Sequence, residues 1–252
     1  MDFDSGHQLV PVVAPRIDGG GGIAFQNAHH ADNTGDPNSP NITYRTFSVG
    51  GALGPNLAIG DFNLGSGHNQ LINPAIATLS TGRQVVVFER IFSAGTDDDI
   101  FLNVVNAAGT ATQFTAASPL LVEGDTNWQA NPAVAANGNQ ALVVYEDATG
   151  TTIGSANIRA RLFDGGSNTV GAAFTIADHT AKLFTPEVAA LPDNRYVIVY
   201  TDSTDIFGRI FDPVTPGGAF LSDEFRIDNP GGGTGNHPSV AATADGGFIV
   251  VW

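Results

Sequence analysis

The feature that most constrains this chain is a short signature that recurs. Pro-x-[Val/Ile]-Ala occurs five times, at Pro11–Ala14, Pro74–Ala77, Pro132–Ala135, Pro186–Ala189 and Pro238–Ala241, with successive prolines 63, 58, 54 and 52 residues apart. Self-similarity at such a period is the mark of repeat architectures, in which one supersecondary unit buries its apolar face only against its neighbours. Each signature leads into a turn, carried by Asp18-Gly19-Gly20, Ser80-Thr81-Gly82, Asn137-Gly138-Asn139, Pro192-Asp193-Asn194 and Asp245-Gly246-Gly247. Glycine, or Asp-Asn in the fourth copy, supplies the positive φ that tight hairpins demand.

An apolar run follows each turn and ends in an aromatic: Phe25, Phe88, Tyr145, Tyr200 and Trp252. Continuous rather than alternating apolar residues predict strands covered on both faces, so the aromatic column reads as packing between units rather than a ligand platform. Between hairpins lie alternating, half-exposed strands, at Ile42–Phe47, Ile100–Val105, Ile158–Phe163 and Ile206–Phe211. Shorter partners are expected at Ala58–Phe62, Thr112–Phe114, Phe174–Ile176 and Glu224–Ile227. Four strands per unit of this length is the period of a β-propeller blade. The expected fold is therefore all-β: a propeller of about 50–60-residue four-stranded blades, five-bladed with one incomplete blade. It is read as a single domain over residues 1–252, with units starting near 11, 74, 132, 186 and 238.

Composition narrows the partners. With 25 acids against 10 bases the formal charge is −15, which argues against nucleic acid or an anionic membrane. No apolar run approaches the roughly 18 residues of a membrane-spanning helix. Cysteine is absent, removing disulfide and thiolate chemistry. The acidic opening Met1–Gly6 has no leader-like apolar segment after it, so export through a removed leader or a C-terminal signal is the expectation.

The run Pro238–Trp252, with the upstream Ile206–Asp212 strand, resembles the propeller-type repeats of large exported bacterial proteins of the hemolysin-type (RTX-associated) calcium-binding or adhesin-like class. That resemblance implies an extracellular or cell-surface, bacterial binding module. The glycine-aspartate nonapeptides of that class do not occur here, because Gly19–Gly22 and Gly231–Gly233 lack the aspartate at the required offset.

In a near-repeat, function is sought where one copy departs from the others. Asp97, Asp98 and Asp99 form an acidic loop, with Asp202 and Asp205 in an equivalent place. Consecutive carboxylates repel unless solvated or neutralised, so these are the candidate calcium ligands. Trp128 has no counterpart in the other units. With Asp125, Asn127 and Gln129 it has the composition of a sugar-binding pocket: a ring for stacking and polar groups for hydroxyls. Glu187 is the acid within a signature and a candidate to face a central pocket. His7, His68 and His237 precede prolines at unequal offsets, so loop hydrogen bonding is expected of them; His29-His30 sit in a Gly/Asn/Asp/Pro-rich insertion, where adjacent side chains seldom chelate one metal.

No catalytic motif is found. The functional expectation is thus a non-catalytic extracellular binding or adhesion module, not an enzyme, with carbohydrate or an extracellular protein as partner and oligomers through unpaired strand edges. The alternatives are a glycoside hydrolase or lyase on a five-bladed scaffold, using Glu187 and loop acids, and a structural spacer. Because retaining and inverting hydrolysis need two carboxylates, a lone Glu187 weighs against the former.

Overall fold

The computed structural model describes residues 8–27, 41–61, 70–92, 97–148, 156–179, 182–214, 219–229 and 235–252. Among the described residues every regular element is a strand, and no helix is long and apolar enough to cross a membrane. The chain divides into two compact units, Met1–Thr126 and Asn127–Trp252.

The first unit holds two blades. One comprises β1 (Gln8–Pro15), β2 (Gly21–Asn27), β3 (Asn41–Phe47) and β4 (Leu57–Gly60), hydrogen-bonded in that order. The next comprises β5 (Gln70–Thr78), β6 (Gln84–Ile91), β7 (Asp98–Val105) and β8 (Leu120–Glu123), each antiparallel to the one before. The outer strand β8 lies beyond the expected Thr112–Phe114. The reason is local. Asn103 takes that earlier segment with its side chain, accepting from Phe114 N at 3.2 Å and donating to Phe114 O at 3.0 Å, so the segment makes only an isolated bridge to Val105.

The second unit begins with β9 (Trp128–Asn137), β10 (Gln140–Ala148) and β11 (Ala156–Asp164), flanked by β12 (Thr169–Val170) and β13 (Phe174–Ala177), both paired to β11. The fourth blade repeats this plan with β14 (Phe184–Ala190), β15 (Tyr196–Thr201), β16 (Ile206–Asp212), β17 (Ala219–Phe220) and β18 (Phe225–Arg226). A two-stranded hairpin, β19 (Ser239–Ala242) and β20 (Phe248–Val251), follows.

The hairpin turns behave as their composition predicts. Gly19, Gly82, Gly138 and Gly246 have positive φ, and Asn194 takes the same conformation at φ 70° where glycine is missing. Four of the five run-ending aromatics are buried: Phe25, Phe88, Tyr145 and Tyr200. Phe88 and Tyr200 each lie between successive sheets of one unit. Phe88 packs with Ile42, Tyr44 and Ile59, and Tyr200 with Leu142, Ile158 and Ile176. Each such side chain is worth roughly 1.5–3 kcal/mol of burial. Trp252 departs from the expectation and is 56% exposed, because no strand among the described residues pairs with the free edge of β20.

One irregularity recurs in every unit. The residue before each signature proline has a left-handed backbone: Val10, Asn73, Asn131, Thr185 and His237, with φ between 43° and 51°. In the four complete blades it is a β-bulge, where the ladder skips two residues of the first strand. The skipped residues face the aromatic of the second strand. Proline removes a ladder donor and pushes its predecessor out of the right-handed helical region, so the strand bends there. Asparagine tolerates this conformation; valine and threonine hold it only under strain.

Candidate active site

The bulge sets the pre-proline residue beside the pair formed by the residue that follows the aromatic on the second strand. Those partners are Gln26, Glu89, Glu146 and Thr201, paired across the ladder with Leu9, Ile72, Ala130 and Phe184. Where the bulge residue is asparagine, the partner is a glutamate. Asn73 Nδ2 donates to Glu89 Oε2 at 3.0 Å, and Asn131 Nδ2 donates to Glu146 Oε1 at 2.7 Å. Both glutamates are almost wholly buried, at 2% and 1% exposure. A buried carboxylate persists only when hydrogen-bonded, and the bulge supplies the bond.

Glu146 is the better resolved chemically. Thr185 N, at the bulge of the fourth blade, donates to the same Oε1 at 2.8 Å. Among the described residues Oε2 has no hydrogen-bond partner. Burial pushes the carboxyl above the ordinary glutamate range; the two donors and the nearby Lys182 charge oppose this without cancelling it. The group lines a pocket of about 280 Å³ within the second unit. Trp128 and Phe184 form its aromatic walls, and Asn131, Thr185, Thr201, Ser203, Asn236 and His237 contribute polar atoms. Lys182 Nζ lies 5.5 Å from the Trp128 ring centroid and 4.6 Å from that of Phe184. The site thus combines a buried carboxyl, two aromatic rings and hydrogen-bonding groups.

Of the ligand residues expected from sequence, Trp128 reaches this pocket. Asp125, Asn127, Gln129 and Glu187 do not line it. Gln129 is buried and donates to Asp147 Oδ1 at 3.2 Å, while Arg159 holds the other oxygen at 2.8 Å, a structural network within the third blade. Asp125 is exposed and lies in the first unit, where its charge acts on Asp97 and Asp99. Glu187 is half-buried on β14, and burial alone lifts its carboxyl to about 7.

Of the candidate calcium ligands, Asp97, Asp98 and Asp99 belong to the first unit and Asp202 and Asp205 to the second. Burial raises Asp98 to about 6 and Asp99 to about 7, and the neighbouring acids add to both. Asp202 Oδ1 instead caps its own turn, accepting from Thr204 N and Asp205 N, and Asp205 accepts from Arg226 Nη2 at 2.5 Å. Among the described residues no three histidine, aspartate or glutamate side chains converge in a way that could hold a metal ion. His7, His29, His30 and His68 lie outside the described residues.

Glu89 and Glu146 were not among the residues expected from sequence, since each stands one position past the aromatic that ends its apolar run. The signal was present: Asn-Pro in the signature coincides with aromatic-Glu in the same unit, and in no other copy.

No family model and no curated protein matches the chain. Solved structures do. An α-L-arabinofuranosidase of Fusarium graminearum with arabinobiose superposes over 97% of this chain and 74% of its own, with TM-score 0.64 at 16% identity. The α-L-arabinanase of Penicillium chrysogenum with arabinobiose has the same coverage and TM-score at 14% identity. A polysaccharide lyase matches over 90% of this chain and 50% of its own, with TM-score 0.57 and 12% identity. At these identities the likeness establishes the fold, a β-propeller. Two expectations are corrected by it. The neighbours are glycoside-cleaving enzymes, not hemolysin-type calcium-binding repeats. A non-catalytic adhesion module is likewise overturned, since the fold neighbours over nearly the whole chain are catalysts. Glu187 lies on a signature strand, whereas the buried Glu89 and Glu146 lie on second strands, each in its own unit.

Proposed function

We propose that this protein cleaves glycosidic bonds in a polysaccharide, as a hydrolase or a lyase, at the pocket of the second unit. The observation that carries this reading is Glu146: a buried carboxyl, held by Asn131 and by Thr185 N, on a pocket walled by Trp128 and Phe184. Hydrolysis and elimination share one demand, a proton for the departing glycosidic oxygen, and Glu146 is the carboxyl among the pocket's described lining residues; the second carboxylate that hydrolysis uses would come from outside that lining. A carboxyl whose proton affinity is raised by burial suits that task better than an exposed one. The tryptophan ring would stack on a sugar face, and the polar rim would hold its hydroxyls. The arabinobiose-bound neighbours support carbohydrate as the ligand. Polymeric substrates of this kind fit an extracellular site of action.

The test is a screen of plant and algal polysaccharides for new reducing ends and for the ultraviolet absorbance of unsaturated sugars. On whichever substrate is cut, Glu146→Gln is expected to lower kcat by about a hundredfold or more with the fold intact. Undiminished turnover in that variant would remove Glu146 from the chemistry.

A further inference from the structure

Lys182 is the single lysine in 252 residues. Five of the nine arginines serve the chain's own architecture. Arg16 pairs with Asp18, Arg159 with Asp147, Arg195 with Asp193, and Arg226 with Asp205 and Asp228, while Arg209 donates to the Ile176 carbonyl at 2.6 Å. Lys182 has no carboxylate at ion-pair distance among the described residues. It stands instead on the pocket wall, over the rings of Trp128 and Phe184. Contact with ring faces offsets part of the cost of desolvating an ammonium, but satisfies none of its three donors. A neutral sugar needs no such group, since ring stacking and the polar rim suffice. An anionic sugar does need one, because a chain of net charge −15 repels it everywhere else.

We infer that the pocket selects a glycan bearing a carboxylate, a uronic-acid residue, whose anionic group is bound by the Lys182 ammonium while its ring stacks on Trp128. This rests on the pocket being the substrate site proposed above. The alternative role for the lysine, tuning Glu146 alone, makes a different prediction. It would affect charged and neutral glycans alike.

Binding is measured by calorimetry on the full chain, with Glu146→Gln used where a probe is turned over. The probes are oligosaccharides of galacturonate, mannuronate and glucuronate, each beside its carboxyl-reduced neutral form, and a sulfated galactan fragment that lacks carboxylates. At least one native uronate is expected to bind roughly tenfold or more tightly than its reduced form, and more weakly as salt is raised. Lys182→Met keeps the apolar stem and is expected to lose about ten- to hundredfold for that uronate, changing the reduced probe less than about twofold. Lys182→Arg should restore most of the loss. Equal affinity for native and reduced probes, binding confined to the sulfated fragment, or an equal effect of Lys182→Met on both forms would each overturn the inference. Cleavage of a neutral glycan that depends on Glu146 but not Lys182 would do so while leaving the proposed function standing. Lys182-dependent uronate binding without any cleavage would do the reverse.

Discussion

The third and fourth blades are built on one plan and end in different chemistry. In both, a left-handed pre-proline residue makes a bulge opposite a buried tyrosine, and the next residue of the second strand lies at the same place in the ladder. In the third blade that residue is Glu146, bonded by Asn131 and presented to a pocket. In the fourth it is Thr201, whose hydroxyl donates to Gly235 O at 2.7 Å and accepts from Ser203 N, so its polar capacity is spent on the loop. Thr185 occupies the bulge there with its own hydroxyl buried and unpaired, while its backbone N–H serves Glu146. The third and fourth blades thus differ at two positions that change together. A carboxylate needs the asparagine, and a threonine does not.

The sharpest way to break this comparison is to transplant the pair. Thr201→Glu alone buries a carboxylate without a donor and is expected to destabilise the protein by about 3 kcal/mol. Adding Thr185→Asn should recover at least about 1 kcal/mol of it. Denaturant unfolding of the full double-mutant cycle measures the coupling, and strict additivity would show that the pairing is incidental. Next in size is removal of the natural pair. Asn131→Ala strips one of two donors from Glu146 and puts alanine in a left-handed conformation, for a loss of about 2–3 kcal/mol. The matched Thr185→Ala keeps the N–H and removes an unpaired hydroxyl, so it should cost less than about 1 kcal/mol.

The smallest effect concerns Glu187, which has burial but neither a bonded partner nor the pocket. Its carboxyl is raised from 4.5 to about 7, so the folded state binds its proton more tightly than the unfolded chain. Its contribution is therefore fully favourable below about 4.5 and is lost as pH rises through about 7. Glu187→Gln should flatten that decline and stabilise the protein at pH near 8 by on the order of 1–3 kcal/mol, read from denaturation curves across the window. An unchanged pH profile would mean that the side chain is solvated.

Much of the fold was legible because it rests on local chemistry. Turn glycines, signature prolines and apolar runs each imply their element, and their spacing implies the blade. The places where reading failed were those where a side chain competes with the ladder. Asn103 binds Phe114 and displaces the outer strand to Leu120–Glu123. Trp128 was legible as an odd residue in a polar loop, but its neighbours Asp125, Asn127 and Gln129 diverge from it. Along a strand, successive side chains point to opposite faces, so adjacency in sequence does not gather a site.

By itself, then, the sequence determined a repeat of four-stranded all-β blades with buried aromatics and glycine or asparagine at the hairpin turns. These follow from backbone sterics and from the burial of apolar runs, which are properties of each unit alone. Only the tertiary structure decided which polar residues come together. A bulge aims Asn131 at Glu146 fifteen residues away, the neighbouring blade adds Thr185 N to the same oxygen, and Lys182 comes to rest on Trp128. Those contacts depend on register and on the packing of one sheet against the next, which no single repeat encodes.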